Sequence, residues 1–273
     1  MSNPRPDEQN LLGTLKALYQ DPADLTRALS ALKSLGLCGT PSGFTGPEAD
    51  LDLLRPQRCG FPEVIYGERK STELILQLIR GQQAAGQSSL VTRIRPESAG
   101  VVAEQFPAAI VNAVANTVRV PAAKQETTGG PVYVVTAGSS DRSVAEEALE
   151  TLRWMQVESE LIQDVGVAGP HRLLQHVDTL RKAAVVVCVA GMEAALPSVL
   201  GGYVPCPVIG VPTSVGYGAS LGGLTAMLSM LTCCASNVVC VNIDAGFKGG
   251  YVAGLIASRM GKQQPDRGSG PRD

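Results

Sequence analysis

Val185-Val186-Val187-Cys188-Val189-Ala190, Pro207-Val208-Ile209-Gly210-Val211-Pro212 and Val238-Val239-Cys240-Val241-Asn242-Ile243 lie in one stretch, Ala183 to Phe247, that contains no Lys or Arg. Each run is short, rich in β-branched residues and unalternating, the pattern of a strand buried on both faces of a parallel sheet. Each closes on small or polar residues: Gly191-Met192-Glu193, Thr213-Ser214-Val215-Gly216-Tyr217-Gly218, and Asp244-Ala245-Gly246-Phe247. Open α/β sheets bind ligands just outside the carboxyl ends of their strands. The stretch's only formal charges, Glu193 and Asp244, therefore fall where a ligand would lie.

Working outward, the same alternation continues upstream. Val132 to Ala137 reads as a strand and Gly138-Ser139-Ser140-Asp141 as a turn. Ser143 and Glu146 form a capping box for a helix running to Met155. A strand at Glu158–Val165 and a helix at His171–Lys182 follow. Further helices fall at about Glu193–Gly201, Ala219–Ala235 and Gly249–Met260. Strand and helix in alternation predict an α/β fold, a doubly wound parallel sheet with right-handed crossovers, over residues 131–260. Residues 121–130 are a short polar linker ending in Gly129-Gly130, and residues 261–273 a polar tail predicted to be disordered. Residues 1–120 form a small N-terminal α/β extension. It is read as a helix at Asp21–Leu37, a turn from Arg58 into a short strand before Gly67, a helix at Ser71–Arg80, a strand at Leu90–Ile94 and a short helix or turn at Ala99–Phe106.

Composition narrows the function. A formal net charge of -2 over 273 residues gives no basic stripe for neutralising phosphates, so no nucleic-acid partner is expected. Leu221 to Val241 carries no charge, but Gly222-Gly223, Thr225, Ser229 and the Ser236-Asn237 break mark a buried helix and strand, and no membrane partner is expected. The first eight residues carry no apolar run, so no signal peptide is expected. Seven irregularly spaced cysteines match neither a zinc pattern nor a disulfide framework, which suits a reduced, cytoplasmic protein.

Several residues carry candidate chemistry. Gly138, Ser139, Ser140 and Asp141 end a strand and open a helix, where free N–H groups and hydroxyls suit a phosphate, although an ordinary helix cap reads the same way. Pro212, Thr213, Ser214, Gly216 and Gly218 form a long glycine-punctuated loop that, with Ser140 and Asp141, is expected to cradle a phosphate and ribose. Gly191 and Met192 precede Glu193, and Gly246 follows Asp244, completing the strand-end set. Cys233 and Cys234 end the Ala219–Ala235 helix. Local composition makes neither of them catalytic, because buried Cys is usually packing and a helix carboxyl end disfavours a thiolate.

On these residues the chain resembles the AIR carboxylase superfamily over Pro131–Met260, through Gly138-Ser139-Ser140-Asp141, Ala190–Pro197 and Pro207–Pro212. It resembles more closely the pyridinium-3,5-biscarboxylic acid mononucleotide synthase family of nickel-pincer cofactor biosynthesis. Arg58-Cys59-Gly60-Phe61-Pro62-Glu63-Val64-Ile65-Tyr66-Gly67, Ala190–Glu193, Pro212–Gly218 and Val241–Asp244 carry that likeness. The resemblance implies a flavodoxin-like three-layer fold and a homo-oligomer, octamer-like. It also implies carboxylation of nicotinic acid adenine dinucleotide with release of AMP. Carbon dioxide or bicarbonate is then a co-substrate, no cofactor is tightly bound, and Mg2+ is the metal to test. By the same resemblance Cys234 is the covalent residue, with Glu193 and Asp141 as the other catalytic candidates. The purine carboxylases place a histidine before Leu196-Pro197, where this chain has Ala195, and its only histidines are His171 and His176. Lys248 follows Phe247 where a small residue is usual, and is read as a cation at the pocket rim. A purine-type carboxylase or mutase and a non-catalytic nucleotide-binding oligomer stand as the alternatives.

Overall fold

A computed structural model describes residues 49–122 and 129–261, with scattered positions before Ala49. Most of the Asp21–Leu37 helix, the centre of the linker and the tail after Gly261 lie outside the described residues. The elements are α1 (Arg55–Cys59), β1 (Ile65–Tyr66), α2 (Thr72–Ala84), β2 (Ser89–Thr92), α3 (Pro96–Gln105), β3 (Ile110–Asn112), β4 (Thr117–Val120), β5 (Gly129–Thr136), α4 (Arg142–Trp154), β6 (Val157–Ile162), α5 (Pro170–Leu174), α6 (Val177–Leu180), β7 (Val185–Ala190), α7 (Leu196–Gly201), β8 (Val208–Pro212), α8 (Leu224–Leu231), β9 (Val238–Cys240) and α9 (Gly246–Gly261).

The C-terminal sheet is five-stranded, in the order β6-β5-β7-β8-β9, and every pairing is parallel. This is the flavodoxin-like order, with its switch point between β5 and β7. In β7, Val185, Val187 and Val189 join the core beneath α4 and α9, while Val186, Cys188 and Ala190 join the core beneath α7 and α8. Burial on both faces is why β7 and β8 read as unbroken apolar runs; β9, expected to be buried likewise, is the edge strand, only Val238–Cys240 long and with Val239 exposed.

The N-terminal sheet, in the order β1-β2-β4-β3, is mixed: β1 and β2 are parallel, and the remaining pairs antiparallel. The helix read from Ser71 is α2, and the Ser71 hydroxyl accepts the Leu74 N–H at 3.2 Å. β3 and β4 escape a sequence reading because each is only three or four residues long, with exposed Ile110 and Val111 in β3.

This sheet docks on α4 through polar anchors. The Trp154 indole donates to the Ser88 carbonyl at 3.4 Å, and the Asn112 amide donates to Glu146 at 3.0 Å and Glu150 at 3.3 Å. Arg119 forms an ion pair with Glu150, which Arg153 also contacts at 2.7 Å. Burial pushes the Glu150 carboxyl up, but the Arg119 hydrogen bond and charge, with Arg153 and Asn112, outweigh it and hold the group below its ordinary range. Arg119→Ala strands part of that buried charge and is expected to destabilise the protein by about 3 kcal/mol. The Glu150 contribution is present above the unfolded carboxylate range and lost as pH falls through the lower folded value, so the wild-type–variant gap narrows in acid. Urea unfolding at neutral and acid pH measures both effects.

Five predicted features change. The Ala219–Ala235 helix is a 3-10 segment, Gly218–Gly223, followed by α8, because Leu221 (φ 48°), Gly222 (φ 62°) and Gly223 (φ 95°) take left-handed backbone. α8 ends at Leu231, so Cys233 and Cys234 lie beyond it rather than on it. The His171–Lys182 helix is two short pieces, α5 and α6. The helix read from Glu193 begins at Leu196, since Met192 (φ 55°) and Ala194 (φ 50°) are left-handed. The expected Ser143–Glu146 capping box does not form: the N-cap of α4 is Asp141, which makes no side-chain cap bond to it and instead accepts the Gly138 N–H of the preceding turn. Gly129 and Gly130 open β5.

Candidate active site at the strand carboxyl ends

The loops after β5, β7 and β8 meet at the switch point. Asp141 locks them together from a buried position. Its Oδ1 accepts the Thr213 hydroxyl at 2.7 Å and its Oδ2 accepts the Gly138 N–H at 2.9 Å. Burial pushes the Asp141 carboxyl up, against the pull of the Thr213 hydroxyl and the Gly138 and Gly191 N–H groups, while the Asp244 charge pushes it further up. A buried carboxyl held above its ordinary range is a candidate for carrying a proton.

The Met192 N–H donates to the Val215 carbonyl at 2.8 Å, tying the β7 turn to the β8 loop. Gly191 permits this closeness, because a Cβ there would lie 2.5 Å from the Val215 carbonyl oxygen and 2.6 Å from Thr213 Oγ1. Gly191→Ala is expected to part the two loops at a cost of about 1–3 kcal/mol, which thermal unfolding measures.

Two cavities flank the β8 loop. The first, about 520 Å³, is lined by Gly138, Ser140, Asp141, Gly191, Met192, Glu193, Gly216 and Ala195, with Arg172 at its edge. Arg172 is ion-paired with Asp164 at 2.6 Å. The second, about 510 Å³, takes Ser214 and Asp244 and is closed from the other side by Arg93 and Arg95 of the N-terminal domain. Val215 lines both.

The remaining candidates line neither cavity. Ser139 is exposed, Pro212 is the buried end of β8, and Gly218 starts the 3-10 segment. The Thr213 hydroxyl, expected to face a phosphate, is fully buried and spent on Asp141. Gly246 packs the start of α9 on α4, where a Cβ would sit 2.1 Å from the Val144 carbonyl oxygen. Lys248, read as a rim cation, is exposed on α9 and also lines neither cavity.

The cysteines divide by environment. Burial pushes Cys188, Cys206 and Cys240 up, away from the thiolate. Cys233 is half-buried, and its sulfur accepts the Ser198 hydroxyl at 3.0 Å and the Ala235 N–H at 3.4 Å. Cys234 is exposed in the turn entering β9 and lines neither cavity of its own chain.

Three participants escaped the sequence reading: Glu147, Arg93 and Arg172. Burial pushes Glu147 up while the Phe247 N–H, at 3.0 Å, and the Arg93 charge pull it down. The available signal was Arg93-Ile94-Arg95-Pro96 between a strand and a helix; Glu147 shares its helix face with Ser143, Glu150 and Thr151 and carried none. Among the described residues no three His, Cys, Asp or Glu side chains are grouped to hold a metal ion. No described helix is long and apolar enough to cross a membrane.

A parallel sheet of this order, with small-residue loops closing a cavity at its switch point, defines an α/β domain of the doubly wound class. Residues 131–267 match the AIR carboxylase family, and residues 45–122 match the LarB/PurE-like N-terminal domain. The chain belongs to the AIR carboxylase family. It is 39% identical to the uncharacterized protein MJ0165 of Methanocaldococcus jannaschii, over 78% of this chain and 85% of that one. It is 36% identical to that organism's N5-carboxyaminoimidazole ribonucleotide mutase, over 36% of this chain and 59% of the relative. With the Mycobacterium leprae mutase it shares 33% identity over 47% of this chain and 73% of that one. Among solved structures, Treponema denticola PurE aligns at 19% identity with a TM-score of 0.38, over 49% of this chain and 81% of that one.

Proposed function

We propose that the protein is a carboxylase acting on nicotinic acid adenine dinucleotide, adding a carboxyl group to the pyridinium ring and releasing AMP. The observation carrying this reading is Ala195 in the wall of the first cavity, at the place where the resemblance puts the purine enzymes' proton-moving histidine. The LarB/PurE-like N-terminal match is compatible with it. An imidazole-dependent purine reaction lacks its proton carrier here, whereas a pyridinium ring activates itself towards a thiolate.

The steps balance with this chain's residues. The Cys234 thiolate forms a bond to a ring carbon, the ring nitrogen takes up the electron pair, and an enamine results. The enamine carbon attacks carbon dioxide, forming the carbon–carbon bond and leaving the nitrogen cationic. A carboxylate, Asp141 or Glu193, removes the proton from that carbon and restores the neutral enamine. The nitrogen's electron pair then expels the thiolate and the ring is aromatic again. Water cleaves the phosphoanhydride and AMP leaves. Mg2+ commonly binds through one or two carboxylates plus substrate phosphates, so Glu193 would hold it once the dinucleotide is present.

Because Cys234 lines neither cavity of its own chain, this chemistry requires a second copy to deliver the thiol. An apolar ridge suits that assembly: Leu224, Leu228 and Leu231 recur along one face of α8 and are 38–61% exposed, with exposed Leu221 just before the helix and exposed Val239 on β9. We expect a homo-oligomer, octamer-like, and Leu228→Lys to break it. Light scattering at micromolar concentration tests this, and a monomeric wild type would refute the assembly. Direct support for the activity would be AMP release coupled to isotopic carbon dioxide incorporation.

A further inference from the structure

We propose that the second cavity is a nucleoside monophosphate site, so that the dinucleotide lies across the β8 loop with its pyridinium half in the first cavity and its adenylate half in the second. The inference rests on the dinucleotide reading above and assigns the N-terminal domain a role in binding substrate.

The cavity is built from both sheets: Arg93, Arg95 and Asn116 on one side, Ser143, Ser214 and Asp244 on the other. Its volume, about 510 Å³, falls in the range of small-ligand pockets, roughly 300–1,000 Å³. Arg93 (φ 50°), Asn116 (φ 51°) and Asp244 (φ 52°) are all left-handed non-glycine residues. Such backbone persists where surrounding contacts over-determine it, and it concentrates at ligand clamps. Here the clamp joins the domains, since Arg93 donates to the Asp244 carbonyl at 2.8 Å. Arg93 makes no ion pair among the described residues, and a guanidinium carries five donors.

Two helices begin at this cavity, α3 at Pro96 and α4 beside Ser143, and neither of their N-cap residues, Arg95 or Asp141, makes a side-chain cap bond. Both amino ends therefore add positive potential. The cavity also holds three carboxylates, each with one oxygen accepting a hydrogen bond. Glu68 accepts from Tyr66, Glu147 from the Phe247 N–H, and Asp244 Oδ1 from the Ser214 N–H at 2.8 Å. Asp244 Oδ2 remains for a sugar hydroxyl. Arginine donors for phosphate beside a carboxylate acceptor for ribose define a nucleotide rather than a bare anion.

Calorimetric titration of the full-length protein with AMP, and separately with the nicotinate dinucleotide, tests the site. AMP is expected to bind the wild type, to lose at least tenfold in affinity in Arg93→Gln, and to be unaffected by Ser140→Ala in the first cavity. The dinucleotide should weaken in both variants. Because the Arg95 side chain bonds only the Lys70 carbonyl and Glu97 among the described residues, Arg95→Gln provides a second reading should Arg93→Gln unfold. It too should weaken AMP. AMP affinity unchanged by both arginine substitutions, or lost in Ser140→Ala instead, overturns the inference. Dinucleotide binding that ignores Arg93→Gln overturns it while leaving the dinucleotide reading intact. Conversely, a wild type that binds AMP through Arg93 but not the dinucleotide keeps the nucleotide site and sinks the dinucleotide reading.

Discussion

Cys234→Ser is expected to lower carboxylation of the nicotinate dinucleotide by about 10³-fold or more, while leaving dinucleotide affinity within a factor of a few. The substitution keeps the size and exposure of the side chain but replaces a thiol with a hydroxyl that is far harder to ionise. Cys233→Ser is its control. Cys233 already spends its sulfur on Ser198 and Ala235, so its loss should register in thermal stability and leave the rate nearly unchanged. Equal rate losses in the two variants would mean that the region matters for packing alone.

Asp141→Asn is expected to reduce turnover by about 10²–10⁴-fold, the usual contribution of a positioned proton carrier. Burial makes this carboxyl costly to ionise, and one carboxylate oxygen accepts the Gly138 N–H, so the amide must also present a donor where the site offers one. Steady-state kinetics at saturating dinucleotide measures the effect, and unchanged turnover would leave Glu193 as the carrier. The two inactive variants offer a further result. Because Cys234 and the Asp141 cavity lie apart in one chain, mixed oligomers of Cys234→Ser and Asp141→Asn should regain part of the activity. Mixtures as inactive as their parents would exclude a site shared between copies.

What the sequence disclosed follows the range of the forces involved. The β7 and β8 runs were legible because burial on both faces leaves an uninterrupted apolar signature, whereas β9, read the same way, is a half-exposed edge strand of three residues. The strand-end loops were legible because parallel topology fixes where ligands go, and Gly138, Asp141, Gly191 and Glu193 do line one cavity. The break in the Ala219–Ala235 helix was not, because only tertiary packing settles whether Leu221 takes left-handed backbone. Nor was the fate of Thr213: a hydroxyl in a glycine-rich loop suits a phosphate equally well until Asp141, distant in sequence, is seen to claim it. Arg93 stayed hidden for the same reason, since its partner is the carbonyl of Asp244 in the other domain. Cys234 carried no local signal, and its candidacy rests on the resemblance.

The most direct test supplies isotopic carbon dioxide with nicotinic acid adenine dinucleotide to the wild-type protein and follows label and AMP together. The account predicts label in a pyridinium dicarboxylate mononucleotide, one AMP released per carboxylated ring, and a protein–ring adduct on Cys234 visible by intact mass. A wild type that binds the dinucleotide yet incorporates no label and releases no AMP would contradict it and leave a nucleotide-binding protein without this chemistry.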